Sequence, residues 1–160
     1  MYVFIMRHGD AAVDSMSDAT RELTDRGCQE SEKMARWLEQ QSPDIDCILV
    51  SPYIRAEQTL KRVREALTLP DNEEVLNELI PSGDAGLVAS YLQVLSMQGH
   101  KAVLVISHLP LVGYLVSELC FGQTPPMFAT SSIACVELEH QTEKGRLLWQ
   151  TSPAQLAAQA

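Results

Sequence analysis

Three short, continuously apolar runs, at residues 2–6, 47–50 and 102–106, place the strongest constraint on how this chain can fold. Unbroken apolar runs of this length are typical of strands that are buried on both faces, as in the parallel sheets of α/β proteins. Helix-like patterns separate the runs, and parallel strands require crossovers of that kind. The sequence therefore predicts a single three-layer α/β/α domain with a mostly parallel central sheet and helices on both faces.

Each of these runs is followed by a basic or titratable side chain. Arg7 and His8 follow the first run, Arg55 lies just beyond the second, and His108 follows the third. The carboxyl ends of parallel strands lie along one edge of a sheet, where open α/β sheets bind ligands. We therefore expect these four side chains to converge on one pocket. Neutral imidazole can attack phosphorus and guanidinium can grip phosphoryl oxygens, which favours phosphoryl transfer.

The same residues belong to a longer series of motifs. The series comprises Arg7-His8-Gly9, Leu23-Thr24 with Gly27 and Gln29, Ser51-Pro52 with Arg55-Ala56 and Thr59, and Ser107-His108. With these motifs in this order, the chain resembles the histidine phosphatase superfamily. Its short length, Asp18-Ala19-Thr20-Arg21 and Ser107-His108-Leu109-Pro110 are similar to the small bacterial phosphohistidine phosphatases of that superfamily. The resemblance implies a phosphoglycerate mutase-like fold.

The resemblance also implies a role for each candidate site residue. His8 would be the nucleophile and would form a covalent phosphohistidine, which water then hydrolyses. Arg7 and Arg55 would clamp phosphoryl oxygens, while His108, protonated by its anionic ligand, would donate to another oxygen. Arg21 is a further candidate for substrate binding. Guanidinium and imidazolium groups supply the charge that a metal supplies elsewhere, so neither a metal nor another cofactor is expected.

Attack by the nucleophile and departure of the leaving group require different protonation states in the site. His8 must be neutral to attack, so we expect a backbone carbonyl near Gly9 to hold its other ring nitrogen as N–H. Leu76-Asn77-Glu78 is similar to the stretch that supplies the general acid in other members, which makes Glu78 the candidate acid. The residues that follow lack the acidic and aromatic side chains often found there. A phosphoester needs such an acid, whereas imidazole is a leaving group of much lower pKa.

The predicted function is hydrolysis of a phosphoryl group from histidine on a protein, such as a histidine phosphotransfer domain or a phosphocarrier of a bacterial relay. This choice rests on the resemblance and on the lack of room for a lid between Arg55 and His108. A phosphatase for small phosphomonoesters is the alternative enzyme, and a non-catalytic phosphohistidine-binding module is the alternative from another class. A mutase is disfavoured, because retaining the free intermediate requires an enclosing segment.

Composition limits the organisation and the partners of the chain. Its 160 residues agree with one domain, assigned to 1–152 and followed by a C-terminal tail at 153–160. The net charge of −9 argues against nucleic acid and membranes as partners, so a phosphoryl pocket must be locally basic. No signal-peptide core and no spanning apolar run is apparent, which predicts a cytoplasmic protein. The cysteines lack paired spacing and are expected to be buried free thiols.

Periodicity and breakers predict the remaining elements. They are helices at 24–41, from 55, from 87 and at 109–120, a brief strand at 74–76, and a closing hairpin of 133–138 and 146–150. The polar loop at 10–23 carries Asp10, Asp14 and Asp18 and forms either a solvated connection or a rim of the pocket. His100 and His140 are expected to face solvent and to have no role.

Overall fold

All of the predicted strands and helices are present in the computed structural model, which describes residues 1–140 and 144–159. In chain order the elements are β1 (Tyr2–Arg7), α1 (Asp25–Gln40), β2 (Cys47–Val50), α2 (Ile54–Arg64), β3 (Glu74–Val75), α3 (Ala85–Met97), β4 (Ala102–Ser107), α4 (Leu111–Leu119), β5 (Ile133–Leu138), β6 (Gly145–Thr151) and α5 (Pro153–Gln159). Short 3-10 turns at Asp18–Thr20 and Asn77–Leu79 complete the list.

The strands form one mixed sheet in the order β3-β2-β4-β1-β5-β6. The first four strands are parallel, whereas β5 and β6 add an antiparallel hairpin at one side. In the register, Arg7 pairs with Ser107 and Val50 pairs with Ile106, so β1, β2 and β4 end at the same edge. The predicted α/β architecture is confirmed, and its central strand ends meet where the sequence places the chemistry.

Alternation along β1 divides the interior into two cores. Val3 and Ile5 face a core that includes α3 and α4, whereas Phe4 and Met6 face a core that includes α1, α2 and α5. Every residue of β4 is buried, because both faces of this central strand are covered by helices. The site therefore rests on strands that two apolar layers hold in place.

Two helix starts matter for the site. Thr24 caps α1, since its hydroxyl accepts a hydrogen bond from the Gly27 amide at 3.0 Å, as the sequence predicts. The helix predicted at 109–120 begins later, at Leu111, with Pro110 as its N-cap residue. His108 and Leu109 consequently stay outside the helix, in the connection that leaves the edge of the sheet.

The C-terminal segment is more ordered than the predicted tail implies. It forms α5, and Leu156 is buried in the core shared with α1. Residues 141–143, which connect the two strands of the closing hairpin, and Ala160 lie outside the described residues. The division into a domain at 1–152 and a tail stays a prediction.

The remaining cysteines and histidines carry little chemistry. All four cysteines are free; Cys120 and Cys135 are buried, whereas Cys28 and Cys47 are only partly so. His140 is exposed, while the ring of His100 lies 3.1 Å from the Asp46 carboxylate and is half-buried. Within the described ranges no helix is long and apolar enough to cross a membrane.

Candidate active site

A cavity of about 320 Å³ opens at the edge where β1, β2 and β4 end. It is lined by Arg7, His8, Asp10, Ala11, Asp18, Arg21, Arg55, Pro81, His108, Leu109 and Thr130. Five of the six side chains predicted for the site are thus brought together. Among residues 1–140 and 144–159 no group of three or more His, Cys, Asp or Glu side chains is arranged to hold a metal ion.

His8 is held in the protonation state that nucleophilic attack requires. Its Nδ1 lies 2.7 Å from the carbonyl oxygen of Gly9, which can only accept, so Nδ1 carries the proton. The guanidinium of Arg55 donates through Nε to Nε2 of His8 at 3.2 Å. Burial, together with the charges of Arg55 and Arg7, lowers the pKa of His8 to about 4. The ring is neutral at pH 7, and its Nε2 lone pair accepts from Arg55, so Arg55 has to move before this nitrogen can attack.

The backbone around Gly9 is packed too tightly for any side chain. A Cβ on Gly9 would lie 2.8 Å from the carbonyl oxygen of Gly27 and from the Ser31 hydroxyl. A Cβ on Gly27 would in turn lie 2.2 Å from the carbonyl oxygen of Asp10. The Gly9 amide donates to the Thr59 hydroxyl at 3.0 Å. The two glycines therefore let α1 dock against the loop that orients His8.

Arg55 is 3% exposed, and the loop that covers it accepts hydrogen bonds from its guanidinium. It lies in the first turn of α2, one helical turn before Thr59, whose hydroxyl donates to the Arg55 carbonyl at 2.7 Å. Its terminal nitrogens donate to the Asp18 carbonyl and, at 3.3 Å, to the Asp18 carboxylate. A buried cation needs such partners, because unpaired charge is costly away from water.

His108 lies beside His8, with ring centroids 5.0 Å apart. Its Nε2 shares a hydrogen bond of 2.6 Å with the hydroxyl of Ser51, which also accepts from the Tyr53 amide at 3.2 Å. Burial and the neighbouring His8 and Arg55 lower the pKa of His108 to about 3. Without an anion in the pocket this ring is therefore neutral, and protonation of His108 requires the negative charge of a ligand.

Two buried polar atoms of the pocket residues have no partner in the described part of the chain: Nε of Arg7 and Nδ1 of His108. The other end of Arg7 is anchored, because Nη1 donates to the Phe128 carbonyl at 2.8 Å. Burial and the charges of Arg55 and Arg21 lower the pKa of Arg7. Unsatisfied buried groups cost free energy, which an anion bound among these cations would offset.

Arg21 reaches the cavity from the loop at 10–23. Its Nε donates to the Ala12 carbonyl at 2.8 Å, and one terminal nitrogen lies 3.2 Å from the Asp18 carboxylate. Asp18 therefore joins Arg21 and Arg55, on opposite sides of the same carboxylate. The loop is a rim of the pocket rather than a detached connection.

Comparisons with known proteins agree with this arrangement. Residues 3–80 match the histidine phosphatase superfamily (branch 1). The chain is 59% identical to phosphohistidine phosphatase SixA of Escherichia coli (strain K12) over 98% of its own length and 96% of that protein. This chain belongs to the histidine phosphatase superfamily.

Further matches extend over most of the chain. A solved structure of the protein histidine phosphatase SixA complexed with tungstate shares 59% identity and a TM-score of 0.95, covering 98% of this chain and 99% of that one. A SixA homolog of Haemophilus influenzae is 42% identical over 84% of this chain and 86% of that protein. The fold of this superfamily member is therefore that of a solved relative along nearly its whole length.

The structure does not bring Glu78, the candidate acid, to the phosphoryl pocket of this superfamily member. Glu78 lies in the 3-10 turn after β3 and lines a different, largely apolar groove, together with Glu74, Leu87 and Tyr91. The backbone after Glu78 does reach the pocket, at Pro81. The chain turns back here, since a Cβ on Gly83 would overlap the Glu78 carbonyl. Glu78 is therefore not among the residues that line the pocket of His8.

Sequence reasoning missed one segment that shapes the site, the loop from Phe128 to Ser132. Its Ser131 amide donates to the His8 carbonyl at 3.1 Å, and its Ser132 carbonyl accepts from the Arg7 amide at 3.0 Å. The hydroxyls of Ser31 and Ser131 are 3.1 Å apart. Ser131 has a φ of 63°, which is uncommon for residues other than glycine. No sequence motif at this position predicts that conformation.

Proposed function

We propose that this chain is a phosphohistidine phosphatase that removes the phosphoryl group from histidine on a protein through a covalent intermediate on His8. One observation carries the proposal. A neutral imidazole, with its proton on Nδ1 and its Nε2 lone pair accepting from Arg55, stands in a buried pocket beside the guanidinium groups of Arg7 and Arg55. The identity of 59% to phosphohistidine phosphatase SixA supports the same substrate class.

The first step transfers the phosphoryl group from the substrate histidine to His8. Substrate binding displaces Arg55 from Nε2 of His8 and moves its guanidinium onto the phosphoryl oxygens, beside that of Arg7. Nε2 forms a bond to phosphorus, the bond from phosphorus to the substrate nitrogen breaks, and that nitrogen keeps the electron pair. The Gly9 carbonyl accepts from Nδ1 throughout and stabilises the positive charge that develops on the His8 ring.

The second step returns His8 to its starting state. Water attacks phosphorus, the bond to Nε2 breaks, and inorganic phosphate leaves. Both transition states spread negative charge over the equatorial oxygens, where fixed cations contribute most. His108 takes up a proton only when an anion offsets the neighbouring cations, and it then donates to a phosphoryl oxygen.

The natural substrate belongs to a narrower class in this proposal. We place the phosphohistidine on a histidine phosphotransfer domain or a phosphocarrier of a bacterial relay, in two-component signalling within the cytoplasm. Two observations support this placement: the similarity to phosphohistidine phosphatase SixA of Escherichia coli and the exposed rim of the pocket. A histidine that projects from a protein surface has to reach His8 past this rim.

The deciding experiment compares substrates under identical conditions with EDTA present. We expect a phosphorylated histidine phosphotransfer domain to be hydrolysed with a higher kcat/KM than sugar phosphates and phosphoglycerates. A phosphoester as the best substrate would replace the proposal with the small-molecule phosphatase. Stoichiometric binding of the phosphoprotein without release of phosphate would replace it with the binding module.

A second experiment tests the pocket itself. Tungstate and vanadate imitate a phosphoryl group, and a pocket complementary to the transition state binds them tightly. Crystals soaked with either anion should show it in contact with Arg7, His8, Arg55 and His108. Density at any other position would contradict the assignment of this cavity.

A further inference from the structure

Asp18 places an anion in a pocket that otherwise gathers cations. Its carboxylate contacts Arg21 at 3.2 Å and Arg55 at 3.3 Å, yet its side chain is 55% exposed. Each carboxylate oxygen thus contacts one arginine, and the exposed remainder of the carboxylate lines the cavity, where it can accept a further hydrogen bond. Burial alone would raise the pKa of Asp18, but the hydrogen bond from Arg21 and the charge of Arg55 outweigh it and lower the pKa.

The position of this carboxylate relative to the nucleophile is informative. The guanidinium of Arg55 touches Nε2 of His8 with Nε and the Asp18 carboxylate with a terminal nitrogen. Asp18 therefore lies one guanidinium group away from the attacking atom. In-line attack directs the leaving group away from His8 and toward the mouth of the pocket, and Asp18 is among the residues that line this pocket.

We propose that Asp18 is a specificity-determining residue, whose carboxylate accepts a hydrogen bond from the distal ring N–H of the substrate phosphohistidine and repels leaving groups that carry a carboxylate. This inference rests on the proposed function and deepens it. An N-phosphorylated imidazole can carry a proton on its distal nitrogen, whereas a phosphoglycerate has a carboxylate close to the phosphoryl group. The same fixed anion therefore attracts the first substrate and disfavours the second.

The proton and electron balance is consistent with this role. With the distal nitrogen protonated, breaking the bond to phosphorus returns the electron pair to the proximal nitrogen and releases neutral imidazole. The proton stays on the substrate ring, so Asp18 accepts a hydrogen bond and takes up no proton. An ionised carboxylate suits this role, whereas it could not act as a general acid.

The test compares Asp18→Asn with Asp14→Asn, a matched change at an exposed position of the same loop. Three substrates are used: phosphoimidazole, phenyl phosphate and 3-phosphoglycerate. Phenyl phosphate reports any change in phosphoryl binding that follows from the altered contact with Arg55. We expect Asp18→Asn to lower kcat/KM for phosphoimidazole about tenfold or more relative to phenyl phosphate, and to raise it for 3-phosphoglycerate. Asp14→Asn should leave kcat/KM unchanged for all three substrates.

Equal changes for all three substrates would overturn the inference, because Asp18 would then act only by positioning Arg55. Asp18→Glu retains the charge and should keep the preference for phosphoimidazole over 3-phosphoglycerate; a preference as low as in Asp18→Asn would also contradict the inference. Failure of the proposed function has a different signature. In that case the unmutated protein would not turn over phosphoimidazole or a phosphohistidine protein.

Discussion

The pocket has a floor and a rim that are built in different ways. The floor consists of Arg7, His8, Arg55 and His108, and three of these, His8, Arg55 and His108, are at most 5% exposed. The rim is the loop at 10–23, which includes Met16, a fully exposed apolar side chain. Floor residues are attached to strand ends and to α2, whereas the rim is joined to the floor mainly through Asp18.

This difference separates two tasks. A floor held between two apolar cores keeps the cations beside the nucleophile, so only the guanidinium of Arg55 has to shift before the charges are placed to stabilise a phosphoryl transition state. A rim with few apolar contacts can differ in sequence without disturbing the sheet, and in the proposed mechanism it meets the leaving group rather than the phosphoryl oxygens. We therefore expect floor substitutions to abolish chemistry with every substrate, and substitutions of rim residues that line the cavity, such as Asp18, to change which substrate is preferred.

The largest effect is expected for the nucleophile. His8→Ala should lower turnover by about 10³-fold or more with every substrate, because it removes the nitrogen on which the covalent intermediate forms. In the unmutated protein, a quench in alkaline denaturant should preserve phosphate on His8 that is stable to base and is released by acid. Near-normal turnover by a folded His8→Ala variant would show that the intermediate forms elsewhere.

The arginines of the floor should follow. Arg7→Ala and Arg55→Ala should each reduce kcat/KM on the order of 10²-fold, since each removes a charge-assisted contact in a shielded pocket. Arg26→Ala is the matched control, because Arg26 is 73% exposed on α1 and forms its ion pair with Glu30 on the same helix. Steady-state kinetics with phosphohistidine and with an aryl phosphate should give similar losses. A loss confined to one substrate would break the distinction between floor and rim.

The floor should also make stability depend on pH. The pKa of His8 is lowered from 6.5 to about 4, so the folded state binds fewer protons than the unfolded state between these values. The contribution of His8 to the free energy of unfolding is fully present above pH 6.5 and is lost as the pH falls toward 4. His108, with a pKa of about 3, acts in the same direction. Each histidine can contribute up to about 1.4 kcal/mol per pH unit.

Denaturant unfolding between pH 7 and pH 4.5 measures this dependence. Adding tungstate would obscure it by binding the folded state, so the titration is made without oxyanions. The double variant His8→Asn, His108→Asn should show a flatter slope of unfolding free energy against pH. His140→Asn changes an exposed histidine and should keep the original slope. An unchanged slope in the double variant would show that other groups govern the acid sensitivity.

The smallest effect is expected for Glu78, which belongs to neither the floor nor the rim. Glu78→Gln should change kcat/KM for phosphohistidine less than about twofold, because its side chain lines another groove and the imidazole leaving group needs little acid assistance. Hydrolysis of an alkyl phosphate should fall more in Glu78→Gln than hydrolysis of phosphohistidine, because an alkoxide leaving group needs an acid. Loss of phosphohistidine turnover in a folded variant would place Glu78 in the site after all.

Local patterns determined most of the framework of this protein. The apolar runs identify β1, β2 and β4, and the residues that follow them identify the floor, because strand ends in a parallel sheet share one edge. Thr24 marks the start of α1, because its hydroxyl accepts a hydrogen bond from the amide three residues further along the chain. Such features depend on neighbours in the chain, so they can be read without knowing the fold.

Only the tertiary structure decided which rim and loop residues meet the floor. It turned Glu78 toward another groove, brought Ser131 onto the His8 carbonyl, and set the Asp18 carboxylate between two arginines. Asp18 and Arg55 are 37 residues apart, and Ser131 lies far beyond both in the chain. Contacts of this kind leave no periodic or local signal, because they arise when packing of the two cores brings distant backbone segments to the same edge of the sheet.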